Sequence, residues 1–117
     1  MKLLLGVALV VVTAAVLSSM PAGAQTPPVT DENLSQSIAN AKTSADHEAI
    51  AGCYDAEAAE AEKKAALHHR SATNLKPVGM ANMCNSLADY WDNVAKQDKQ
   101  LASAHRAMAN AAGKPGQ

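Results

Sequence analysis

The stretch "GMANMC", Gly79 to Cys84, places two thioethers and a thiol within six residues. Met80 and Cys84 are four apart, so on a helix they share a face. A methionine, a cysteine and one added imidazole form a ligand set suited to a soft ion such as Cu(I). His68 is the imidazole that a folded-back chain brings nearest, so Met80, Cys84 and His68 are the candidate metal ligands. The same two methionines at a helix start also suit gap-filling in a core. A second constellation is His47, Glu48, His105 and Met108. These four come level if the chain folds back on itself near Pro77 and Val78.

Stronger signatures are missing. "HEAIA" at His47 lacks the second histidine of the metalloprotease helix, because Ala51 stands in that place. His68 and His69 are adjacent and point ~100° apart on a helix. No Cys-x-x-Cys pair occurs. Ser44, Ser71, Ser86 and Ser103 sit in helix-forming sequence, not on a strand–turn–helix elbow. Cys84 with His68 can be written as nucleophile and base, but nothing orients them and no oxyanion loop is evident. The expectation is a protein without enzymatic activity and without a cofactor.

These residues need elements to position them. "TSAD" gives Thr43 as N-cap with Asp46 three residues on, a capping-box variant. From Ser44 to Leu75 only Gly52 interrupts good helix formers. "KPVG", Lys76 to Gly79, breaks the pattern, with Pro77 ending the helix and Gly79 permitting a turn. A second helix runs from Met80 to Ala112, closed by Gly113 with Pro115 beyond. Thr30 can cap a short helix over 31–42, in which Leu34, Ile38 and Ala41 share a face.

Both long helices carry a heptad seam. In the first it reads His47, Ala51, Tyr54, Ala58, Ala61, Ala65, His68, Ala72 and Leu75. In the second it reads Met80, Cys84, Leu87, Trp91, Val94, Asp98, Leu101, His105 and Met108. The short connection makes the two antiparallel neighbours. The fold class is all-α: an antiparallel two-helix hairpin, helices 44–75 and 80–112, with a short helix 31–42 ahead of it. Small residues of the first seam are expected to receive large residues of the second. Trp91 belongs to the core, and Tyr90 either flanks the seam or anchors a partner. Outward faces should carry Glu60–Lys64 and Asp92–Lys96 pairs, each worth ~0.2–0.5 kcal/mol.

This hairpin separates the two cysteines. Cys53 lies roughly 36 Å along the first helix from the turn and Cys84 about 10 Å along the second. The ~26 Å between them excludes a bond that requires Cα atoms within about 7 Å. The thiols are therefore free, metal-bound, or bridged between chains. Two hairpins overlapped head to tail bring Cys53 of one level with Cys84 of the other, related by a two-fold axis.

Composition sets the compartment and the partners. "MKLLLGVALVVVTAAVLSSMPAGA" has a basic residue, an apolar run and an A-x-A end. It reads as a signal peptide over 1–24, cleaved after Ala24, which makes the protein periplasmic or secreted. Residues 25–30, with "PP", form a flexible leader, and 31–117 form the hairpin domain. Without Lys2, nine cations face eleven anions, interspersed along the chain. No basic stripe or aromatic series suits nucleic acid, and no basic amphipathic face suits a membrane after cleavage. With no Phe, one Trp and two Tyr, the core is thin. A homodimer, or contact with another periplasmic protein, would thicken it.

"ADHEAIAGCYDAEAAEAEKKAALHH" and "MCNSLADYWDNVAKQDKQLASAHRAMA" together resemble a set of small exported helical-hairpin proteins of proteobacteria with no established function. The resemblance covers most of Thr43 to Ala109. It rests on His47-Glu48, Tyr54, the alanine run, His68, Cys84 and His105-Arg106. Members often have a His-Cys pair where this chain has Met83-Cys84, so no histidine ligand carries over to position 83. The resemblance implies a fold and a compartment, not an activity.

Overall fold

A computed structural model describes residues 27–114. The signal segment 1–24, Gln25 and Thr26 of the leader, and Pro115 beyond the last helix lie outside the described residues. Three helices follow in order: α1, Leu34–Asn40; α2, Ser44–Asn74; and α3, Val78–Ala112. α2 and α3 pack antiparallel along their length, α1 lies against α2, and no strand occurs among the described residues.

Local chemistry fixes the ends. The Thr43 hydroxyl accepts from the Asp46 N–H at 3.1 Å, and the Asp46 carboxylate accepts from the N–H groups of Lys42 and Thr43 at 3.0 and 2.9 Å. This reciprocal box satisfies donors that a helix start otherwise leaves bare. The same bonds hold the Asp46 carboxyl below its ordinary range. Pro77 ends the connection, its preceding peptide is cis, and α3 begins at once at Val78. Gly79 is thus a helical residue, not the turn residue its type suggests. α1 is shorter than expected, because Asn33 organises its start. The Asn33 side chain accepts from the Thr30 N–H at 2.8 Å and donates to the Pro28 carbonyl at 3.0 Å. Thr30 is therefore fastened by Asn33 and does not cap the helix.

The seam of α2 lies where its alanines place it, with Ala51, Ala58, Ala61 and Ala65 buried. The seam of α3 does not. Its buried residues are Ala88, Ala95, Ala102, His105 and Ala109. Cys84, Trp91, Asp98 and His105 keep their expected seam places, but every alternate position shifts by one residue. Alanines replace the expected Met80, Leu87, Leu101 and Met108, all of which are exposed. The physical reason is close approach: alanine facing alanine lets two helices pack at the short end of the ~8–10 Å axial range. A leucine at the same place would hold them apart. Eight of the ten buried hydrophobic residues are alanine, so the core is dense but small in area, and Ile50 is its one large fully buried side chain among the described residues.

A ladder of polar pairs runs beside this seam. Arg106 meets Asp55, Lys99 meets Glu62, and His69 meets Asp92. The rungs are spaced by seven residues on each helix, so they line one flank of the hairpin. The expected pairs within each helix give way to other partners: Glu60 takes Lys63, Asp92 takes His69, and the Lys64 ammonium stands 4.1 Å over the Trp91 ring. Trp91 is half-buried under that cation and edge-on to Tyr90, with centroids 5.1 Å apart.

Candidate functional site

Besides the exposed trio His69, Asp89 and Asp92, three places among the described residues gather residues with chemical potential. The first is the open end of the hairpin. His47 belongs to the first turn and a half of α2, set by the capping box. His105 lies on the α3 seam, 7 % exposed. The antiparallel register brings their Nδ1 atoms to 3.1 Å. One imidazole donates this bond and the other accepts it, so a single proton is shared between two rings. The Tyr54 ring stacks on His105 with centroids 5.8 Å apart. Burial, and then the neighbouring His47, lower the pKa of His105 below its ordinary value of 6.5. Arg106 leaves the seam and spans Asp55 at 2.5 Å and Glu48 at 3.8 Å. Of the four residues expected to converge here, His47 and His105 are paired, Glu48 is held by Arg106, and Met108 is exposed.

The second place is a groove of about 810 Å³ on the flank opposite the ladder. Pro28 to Thr30 of the leader and the adjoining Asp31 form one wall, α2 the floor, and Trp91, Val94 and Asp98 of α3 the other wall. Asp31, Cys53 and Glu57 turn polar atoms toward one another here, all within 4.8 Å. Cys53 is 8 % exposed, and its thiol faces the Asp31 carboxylate at 4.0 Å. Burial, reinforced by Glu57 and Asp31, pushes the thiol pKa up. Burial, followed by Asp31 and Asp98, pushes Glu57 up as well. Sequence reasoning missed this cluster. Cys53 and Glu57 do share a helical face at four-residue spacing, but nothing local shows that Asp31 folds back over them.

The third place is the turn end. His68 is half-buried near the end of α2, Met80 is exposed in the first turn of α3, and Cys84 is half-buried one turn later. Because α3 starts at Val78, Met80 and Cys84 both lie within regular helix. Both cysteines are free thiols. Around them the apolar surface is open: Met83 is 68 % exposed, Leu87 45 % and Tyr90 58 %, with Leu67 and Val78 also exposed. Leu101 and Met108 continue this stripe along α3. Heptad steps connect Met80, Leu87, Val94, Leu101 and Met108, so the stripe runs beside the alanine seam on the flank away from the ladder.

Two of the serine hydroxyls considered for chemistry are engaged by their own helix. Ser71 donates to the Leu67 carbonyl at 2.9 Å and Ser86 to the Asn82 carbonyl at 3.0 Å. No helix among the described residues is long and apolar enough to cross a membrane. The chain matches no protein-family model, no curated protein and no solved structure.

Proposed function

We propose that this is an exported, non-enzymatic helical hairpin that works by protein–protein contact, its first partner being a second copy of itself. The observation that carries the reading is the exposed apolar stripe of α3, Met80, Leu87, Leu101 and Met108, beside a core made almost wholly of alanine. Alanine burial removes little apolar area from water, whereas a large side chain gains ~1.5–3 kcal/mol on full burial, of which the half-exposed residues of the stripe have roughly half left to gain. Pairing two hairpins along these stripes supplies the core that one hairpin lacks. The signal-like start, 1–24, supports a periplasmic or secreted location. Light scattering of the eluting peak is the test. A dimer at micromolar concentration is expected, and Leu87→Glu with Leu101→Glu should return it to monomer. A wild-type monomer at that concentration removes self-association as the function.

A soft-metal reading stands second, because Cys84 is a free thiol with Met80 one turn before it on the same helix. Copper or zinc that co-purifies with the protein and is lost on Cys84→Ser would put it first.

A further inference from the structure

We propose that His47 and His105 form a clamp for a borderline divalent cation of the zinc, copper(II) or nickel class, closing the open end of the hairpin. The distance between the two Nδ1 atoms, 3.1 Å, is the central observation. Two nitrogens bound at ~2.0–2.1 Å to one ion, at angles between octahedral and tetrahedral, stand about 2.9–3.4 Å apart. The two Nδ1 atoms are already at chelating distance, and turning the rings so that both lone pairs converge beside the line between them makes the clamp. Imidazole nitrogen is the donor that this cation class prefers.

The surroundings suit a metal ion between the two Nδ1 atoms. Tyr54 stacks on the His105 ring and confines the range over which it turns. Charged groups beside the clamp come from both helices: Glu48 and Asp55 from α2, and Arg106 from α3, which pairs with both. That trio has a net charge of minus one, so the cation does not enter a positive field. Asp46 adds a further carboxylate one residue from His47, although the capping box uses it. Binding needs no loss of a proton from neutral rings. The imidazole that donates through Nδ1 takes its hydrogen on Nε2 instead, freeing the Nδ1 lone pair, and the accepting ring already has its hydrogen there. Water fills the remaining coordination positions. This site shares no residue with the contact stripe or with Met80, Cys84 and His68, so it stands or falls separately from both.

The test is thermal unfolding of the full chain at pH 7.5, followed by circular dichroism, with zinc or magnesium at about 100 µM. Zinc should raise the midpoint by at least about 4 °C over magnesium. The rise should vanish in His47→Gln and in His105→Gln and persist in Cys53→Ser and Cys84→Ser. Should a histidine variant fail to fold, proton NMR of the wild type decides. Zinc should then move the imidazole signals of His47 and His105 and leave those of His68 and His69 in place. No rise, a rise that survives His47→Gln, or shifts confined to His68 and His69 would overturn the proposal.

Discussion

The two ends of the hairpin are built to different standards. At the open end, a capping box, a histidine pair, a tyrosine stack and a two-carboxylate arginine clamp surround buried Ile50 and Ala51. At the turn end, no residue from 66 to 87 is buried. The end where the chain is covalently continuous is therefore the loosely covered one, and the end where two helix termini meet is the fastened one. A connection supplies local proximity without contacts, whereas free ends must be held by side chains or they fray. The hairpin concentrates its large and polar contacts where the chain gives no help, and at the turn Leu67, Val78, Met80 and Met83 stay exposed.

Substitution tests this contrast most sharply. Ile50→Ala should cost about 2–4 kcal/mol in urea unfolding, and Leu67→Ala at the turn end less than about 0.5 kcal/mol in the isolated chain. Equal costs would erase the difference between the ends. Overpacking the seam comes next. Ala95→Leu forces the helices apart and should cost about 1–3 kcal/mol, while Ala81→Leu, on the half-buried stretch near the turn, should cost under about 1 kcal/mol. Thr43→Ala removes the capping hydroxyl and should cost about 1 kcal/mol, with faster amide exchange confined to the first turn of α2.

Acid should act on the open end. His105 has a folded pKa below its ordinary 6.5, so the unfolded chain takes up the proton first. Its contribution to stability is complete above pH 6.5 and is lost as the pH falls through the lower folded value. Unfolding followed from pH 7.5 to 5 should show this loss, and His105→Gln should flatten it. The smallest effect has the opposite sign. Glu57 is pushed up by burial and by the carboxylates around it, so its charge works against the fold at neutral pH. Glu57→Gln should stabilise by about 0.5 kcal/mol at pH 7, and the gain should disappear near pH 4.

Much of the architecture was legible because its signals are local. Thr43 and Asp46 announce the start of α2, Pro77 the break, and Gly113 the end of α3, where its N–H bonds to the Ala109 carbonyl at 3.0 Å. The short connection then sets the register well enough to bring His47 and His105 to one end. The face of α3 was not legible in the same way. Two stripes lie side by side there, one of large residues from Met80 to Met108 and one of alanines from Ala81 to Ala109. Area alone favours the large stripe. The alanine seam of α2 decides otherwise, because only small residues on both sides allow close contact, and that choice depends on both helices together. Asp31 over Cys53 was hidden for a related reason. It depends on how Asn33 ties the leader back, a tertiary consequence of one side chain.

The flanking ladder has a consequence for alignment. A seam of alanines at every seventh residue looks the same after a slide of one heptad, so it cannot by itself tell the right alignment from its neighbours. The rungs break that degeneracy by changing polarity. On α2 they read acid, acid, base, in Asp55, Glu62 and His69; on α3 they read base, base, acid, in Arg106, Lys99 and Asp92. A slide in one direction sets Glu62 against Asp92, acid against acid, and a slide in the other takes His69 from the Asp92 carboxylate and sets it beside the Lys99 ammonium. The charges thus spell a short asymmetric word along an otherwise repetitive surface. An α3 offered by another copy of the chain would have to match the same word.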